Sequence, residues 1–261
     1  MSFLKIRRGE APLILSIPHA GTDIPVTLEP ELVSLWRARK DADWHLERLY
    51  AFAEELDATI IRTTISRTVI DVNRDPSGAS LYPGQVTTGL CPLETFDGEP
   101  LYQPGAEPGV AEIARRKAEY FEPYHAAIAV EIKRLRHQHK SLVLYDCHSI
   151  RSNIPRLFPG ELPQFNIGTN DGKSCAPAFS SQVAALCDGF THVVNGRFKG
   201  GWITRHYGNP GHGVHALQME LACRGYMEEP EAPDATNWPG ELLAEPPILP
   251  ILKKILESFV A

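Results

Sequence analysis

The sequence predicts an α/β fold: a mixed, largely parallel twisted sheet with helices on both faces. Two observations carry that expectation. Apolar runs that read as buried strands alternate with helical patterns, and the clearest of these runs end in polar, chemistry-bearing residues. Leu142 to Ile150, Leu-Val-Leu-Tyr-Asp-Cys-His-Ser-Ile, passes from four apolar or aromatic residues straight into Asp146 and His148. That is the form of a central strand with polar side chains at its carboxyl end. Pro12 to Pro18 has the same form and delivers His19 into the turn His19-Ala20-Gly21-Thr22. Open α/β sheets place their ligands at that end. A third run, Val214 to Leu221, sets Glu220 within an otherwise apolar strand pattern. A carboxylate there needs a partner or a metal, because burying a lone charge is expensive.

The chain has 261 residues, enough to bury a sizeable core, and residues 1–261 are expected to form a single α/β domain. A net charge of -6 without a long Lys/Arg block argues against nucleic acid as a partner. No apolar run reaches membrane-spanning length, and Met1 to Glu10 lacks the apolar region of a signal peptide; a soluble, cytoplasmic protein is expected. The five cysteines are scattered and include no Cys-x-x-Cys pair. They are read as reduced packing residues, with neither a disulfide framework nor a thiolate zinc site. Oligomeric state has no signature in the sequence.

After the first strand, Asp23-Ile24-Pro25 reads as a turn. From Asp43, the residues Leu46, Leu49, Tyr50, Ala53 and Leu56 form the buried stripe of a helix of roughly four turns. Asp43 lies on that stripe, where it could meet His19 and ligate a metal or simply favour the helix start as a capping acid. Ala58 to Thr64 and Thr68 to Val72 are β-branched runs that read as two strands. Arg74 follows them and could grip a carboxylate or pair with Asp75. From Pro76 to Pro108 the chain is rich in Gly and Pro, a long ordered loop. Val110 to His139 reads as a helix divided near Pro123, with Arg115, Arg116 and Lys117 largely outside. An irregular loop to about Gln164, a strand at Phe165 to Gly168, a helix at Ala178 to Cys187 and a strand at Thr191 to Val194 follow. Asn195 to Gly208, with Arg197, Lys199 and Arg205 among glycines, reads as an anion-binding loop, against a mobile surface loop as the alternative. Leu249, Leu252, Ile255, Leu256 and Phe259 mark a final amphipathic helix that covers the sheet.

Two neutral imidazoles and one carboxylate form the usual protein ligand set of a hydrolytic zinc site. His19, His148 and a carboxylate supply it, Glu220 is the candidate general base, and Asp146 could orient a histidine from behind. Ser149 and Cys147 are weaker nucleophile candidates. Neighbours on a strand point to opposite faces from His148, and no Gly-x-Ser-x-Gly elbow is present.

Ser16-Ile17-Pro18-His19-Ala20-Gly21 through Ile24-Pro25, then Asp43-Trp44, Asp71-Val72-Asn73-Arg74, Asp146-Cys147-His148-Ser149 and Asn195 to Gly208 together resemble the N-formylglutamate amidohydrolase family. The blocks stand in the family's order from about residue 12 to 225. The resemblance implies a zinc-dependent amide hydrolase whose sheet is similar to that of zinc carboxypeptidases and peptidoglycan amidases, a phosphorylase/hydrolase-like fold. The carboxypeptidase His-x-x-Glu pair is absent, since Thr22 stands where the Glu would be. The peptidoglycan amidases take their carboxylate from the first helix, which favours Asp43 as ligand and leaves Asp23 as the alternative. Glu220 sits where the base glutamate of these relatives follows a late strand. The implied reaction is hydrolysis of N-formyl-L-glutamate to glutamate and formate, the last step of one route of histidine degradation. The substrate is then a small anionic N-acyl amino acid held by Asn73, Arg74, Arg197 and Arg205, with Arg197 or Arg205 on the side-chain carboxylate and Arg74 on the other. The alternatives are a related metalloamidase for another N-acyl amino acid and a non-catalytic binding homologue.

Overall fold

In the computed structural model, which describes residues 2–260, the runs that are apolar throughout become the central strands. The strands are β1 (Leu4–Arg7), β2 (Leu13–Ile17), β3 (Thr59–Thr63), β4 (Leu142–Ile150), β5 (Phe165–Gly168), β6 (His192–Val194) and β7 (Val214–Ala222). They form one seven-stranded sheet in the order β1-β3-β2-β4-β7-β5-β6. Every residue of β2, β4, β5 and β7 is buried, as expected of strands covered on both faces. The strands β3, β2, β4 and β7 run parallel, β1 lies antiparallel on β3, and β5 is antiparallel to β7 but parallel to β6. The sheet is therefore mixed and mostly parallel, and the carboxyl ends of β2, β4 and β7 meet at one edge.

Side-chain alternation divides the core in two. Leu13, Leu15, Tyr145, Cys147, Leu217 and Met219 face one layer, covered by α2 (Leu46–Leu49), α5 (Pro177–Leu186) and α7 (Leu249–Val260). Ile14, Leu142, Leu144 and Ala216 face the other, covered by α1 (Leu35–Arg39), α4 (Glu122–Arg136) and α6 (Trp202–Tyr207). Helix α7 seats Leu252, Ile255, Leu256 and Phe259, each contributing roughly 1.5–3 kcal/mol of apolar burial. No helix among the described residues is long and apolar enough to cross a membrane.

Four local expectations are corrected. The stripe Leu46, Leu49, Tyr50 and Ala53 is buried, but the four-turn helix is only α2 followed by a 3₁₀ turn at Ala51–Glu54. It starts from His45 in a left-handed conformation, φ 64°, so Asp43 lies in the preceding turn and caps nothing. Thr68 to Val72 is not a strand. Its carbonyls are taken by side chains instead: Val69 by Arg116 at 3.1 Å and Val72 by His125 at 2.8 Å. Arg116, expected outside, is consequently buried and also donates to the Tyr102 hydroxyl. The long helical pattern does divide near Pro123, into α3 (Val110–Arg116), a π turn at Lys117–Phe121 and α4, which carries Pro123 in its first turn, where the missing N–H is harmless. Finally, the Gly-rich loop contains α6, which glycines and mixed charges concealed.

Candidate functional site

The parallel register of β4 on β7 sets Asp146 beside Gln218 and His148 beside Glu220, so four polar side chains share one face at the carboxyl end of the sheet. His19 arrives just beyond β2. The Asp43 N–H donates to the His19 carbonyl at 3.0 Å, which brings the turn after α1 onto the same spot. His19, Asp43 and His148 are all buried, and one potential ligand atom from each lies within 4.8 Å of the others.

Each histidine is gripped on one ring nitrogen by a carboxylate. His19 Nε2 lies 2.7 Å from Asp71 Oδ1, and His148 Nε2 lies 3.0 Å from Asp146 Oδ2 and 2.8 Å from Asn73 Nδ2. Both Nδ1 atoms are thereby directed at Asp43, whose Oδ2 is 3.8 Å from that of His19 and 3.1 Å from that of His148. His19 Nδ1 and Asp43 Oδ1 are buried with no hydrogen-bond partner among the described residues. Buried polar atoms are rarely orphaned, and a carboxylate behind each ligand imidazole is the usual support of a metal site. The residues present thus fit a divalent cation. Asp23 is exposed, with its backbone tied to Thr64 and Ser66, and is no part of the cluster.

Buried charges surround the cluster, and each acts on its neighbours. Burial opposes ionisation of Asp71, but Arg74, His19 and Arg67 outweigh it and hold its pKa well below the usual carboxylate range. Burial also opposes protonation of His148, yet Asp146 and Asp43 raise its pKa well above normal. For His19 burial and the Arg67 cation win, and its pKa is lowered. Burial pushes Glu220 up to about 7, a value suited to a group that must both take and give a proton near neutrality.

A cavity of about 600 Å³ opens above the cluster, lined by His19, His148 and Glu220, by Arg67, Arg74, Arg156 and Arg197, by Asn73 and Gln218, and by Phe96, Ile150, Leu157 and Phe198. The loop at 76–91 contributes much of one side. Of the residues expected to contact a ligand, Asn73, Arg74 and Arg197 are on this wall and Arg205 is not. Arg205 donates to the Gly200 carbonyl at 2.8 Å and lies against the Tyr82 ring. Lys199 pairs with Asp171. Arg74 donates to the backbone and hydroxyl of Thr88 and sits 3.6 Å from Asp71, not on Asp75. Arg197 is held between the rings of Tyr82 and Phe198 and donates to the carbonyls of Leu157 and Val86. Cys147 points into the opposite, apolar layer, and the Ser149 hydroxyl accepts from Tyr226 at 2.8 Å.

Two residues of the cluster escaped sequence reasoning. Arg67 is buried, donates to Asp71 at 2.7 Å, lies 3.8 Å from Asp43 and packs under Phe96; a basic residue between two β-branched runs carries no local signal of this. Asp71 lies in the Asp71-Val72-Asn73-Arg74 block, but only the folded geometry pairs it with His19.

Fold and site define an α/β protein with a small-ligand site at the carboxyl ends of its parallel strands. The family model for N-formylglutamate amidohydrolase matches residues 11–227. The chain is 47% identical over 261 residues to an N-formylglutamate deformylase of Pseudomonas aeruginosa, covering 99% of this chain and 96% of that one. It is 44% identical, with the same coverage, to the protein of that name from Pseudomonas putida. Among solved structures it resembles an N-formylglutamate amidohydrolase from Ralstonia eutropha (TM-score 0.79, 23% identity, 100% of this chain and 96% of that one). An Agrobacterium tumefaciens gene product shares the fold at TM-score 0.66 and 18% identity, with 85% of each chain covered. This chain belongs to the N-formylglutamate amidohydrolase family.

Proposed function

We propose that this protein hydrolyses N-formyl-L-glutamate to L-glutamate and formate, with a divalent cation, zinc by its donor set, held by His19, Asp43 and His148. The observation that carries the reading is the convergence of two Nδ1 atoms and one carboxylate, with both Nε2 atoms already backed by acids. The activity named for the two Pseudomonas relatives agrees with it, as does a cavity wall bearing four arginines for a substrate with two carboxylates. The same resemblance suggests a place at the formate-releasing end of histidine breakdown.

When bound, the cation supplies a Lewis acid that polarises the formyl oxygen and acidifies the adjacent water. Glu220 takes a proton from the attacking water and gives it to the amide nitrogen as the C–N bond breaks, so that formate and a free amine leave. Asp71 and Asp146 hold the two imidazoles in the tautomer that presents Nδ1. Arg197 and Arg74 orient the two carboxylates of the substrate.

The test is Glu220→Gln, which keeps size and should keep the metal while lowering kcat on the order of 10² to 10⁴. Activity near wild type would reduce Glu220 to a buried structural acid. The cavity volume favours a second reading on the same machinery, in which larger acyl groups are also accepted. Assay of free amine from N-formyl, N-acetyl and N-succinyl amino acids separates the two.

A further inference from the structure

Gln218 is one of the few polar residues in β7, and only 4% of it is exposed. It lies two residues before Glu220 and therefore on the same face of the strand. Its side-chain oxygen accepts the Gly201 N–H at 2.7 Å, and its side-chain nitrogen donates to Glu220 Oε2 at 3.1 Å. The direction of this chain follows from chemistry alone. A backbone N–H can only donate, so the amide oxygen must face Gly201, and the NH₂ is left for the carboxylate.

Gly201 is itself fixed in place. The next two N–H groups, of Trp202 and Ile203, donate to the backbone and side-chain oxygens of Asn73 at 3.2 and 2.8 Å. A Cβ on Gly201 would fall 2.5 Å from the Asn73 amide, so nothing larger than glycine fits without a shift. The same Asn73 amide touches His148 and Asp146. The start of α6 is thus locked to the histidine side of the site, and it hands that rigidity on through Gln218 to Glu220.

We propose that Gln218 is a positioning residue for Glu220: its NH₂, oriented by Gly201, engages one carboxylate oxygen and leaves the other to exchange the proton. The proposal rests on Glu220 being the general base. It also explains the glycine pair at 200–201, which lets the backbone approach Asn73 and Gln218 and need not touch a ligand at all.

The experiment compares wild type, Gln218→Met, Glu220→Gln and the double variant for metal content, kcat and KM on N-formyl-L-glutamate. Gln218→Met should keep its metal and its KM but lose roughly 10-fold to 100-fold in kcat, the worth of a hydrogen bond to a charged group. In the Glu220→Gln background the same change should cost less than roughly twofold, because a residue acting only through Glu220 has nothing left to position. Melting curves guard against misfolding: Gln218→Met should keep its metal and melt near wild type, and Gln218→Leu, which removes the same donor with a different shape, should lose kcat to the same extent. An unchanged kcat in Gln218→Met or Gln218→Leu, a rise in KM in its place, or a full loss repeated in the double variant would each overturn the proposal. If Glu220→Gln is inactive while Gln218→Met is fully active, only the positioning role fails. If Glu220→Gln is active, the assignment of the base fails and takes this role with it.

Discussion

His19 and His148 were legible as candidate site residues because each ends an apolar run, and a polar residue at the end of a central strand needs a reason. Of their supports, Asp146 was legible too, two residues before His148 on the same face of β4, and Asp71 was not. Asp71 and Asn73 lie far from either histidine in sequence, and only the fold brings Asp71 Oδ1 to 2.7 Å from His19 and Asn73 Nδ2 to 2.8 Å from His148. His148→Ala should empty the metal site, since two protein ligands hold zinc poorly; stoichiometric metal in the purified variant, measured by elemental analysis, would remove His148 from the ligand set. Asp43→Asn should lose metal and Asp23→Asn should keep it. Asp71→Asn should weaken metal affinity roughly 10-fold to 100-fold without removing a ligand. Substrate choice is a second residue-scale question. Arg205 stands off the cavity wall, so Arg197 is the candidate for the side-chain carboxylate. Arg197 is half-buried and is cut off from water once substrate covers it, so a wrong ligand leaves the cation unpaired at a cost of roughly 2–5 kcal/mol, and about 1.4 kcal/mol is a factor of ten. N-formylglutamine should accordingly fall roughly 30-fold to a few thousand-fold below N-formylglutamate in kcat/KM. Arg197→Met should shrink that gap; equal kcat/KM values in wild type would refute the clamp.

At the scale of elements, long uniform patterns were readable and short ones were not. The nine residues of β4 and of β7 are buried throughout, and α7 keeps a clean apolar stripe; both patterns survive any packing partner. Thr68 to Val72 has strand-like composition, but Arg116, His125 and Tyr102 claim its carbonyls, and no local rule anticipates competitors 34 or more residues away. Helix α6 hid behind Gly200 and Gly201, whose small size serves close backbone approach. Gly201→Ala should destabilise the protein by roughly 1–3 kcal/mol through the clash with Asn73, seen as a lowered Tm. An unchanged Tm would mean the start of α6 is not locked to Asn73.

For the whole molecule, the parallel core followed from alternating strands and helices, but the order β1-β3-β2-β4-β7-β5-β6 did not, because strand pairing is decided by contacts distant in sequence. On the side of the sheet covered by α4 and α6, His125 ties α4 to the 68–72 segment and to α6: it donates to the Val72 carbonyl and lies 3.0 Å from the Tyr207 hydroxyl. Burial lowers its pKa to about 4, against about 6.5 in an unfolded chain. The neutral ring is therefore favoured by folding: its contribution is complete above about pH 6.5 and is lost as pH falls towards 4. Between pH 7 and pH 5 wild type should lose about 2 kcal/mol more stability than His125→Gln; parallel losses in urea titrations would contradict that assignment. The central claim is that a cation held by His19, Asp43 and His148 is needed to cleave N-formyl-L-glutamate. Its most direct test is to strip the protein with a chelator and follow formate release as zinc is added back. The account predicts negligible activity in the stripped protein and recovery that rises linearly to a plateau at about one zinc per chain. Full hydrolysis by protein holding less than roughly a tenth of an equivalent of metal would contradict it.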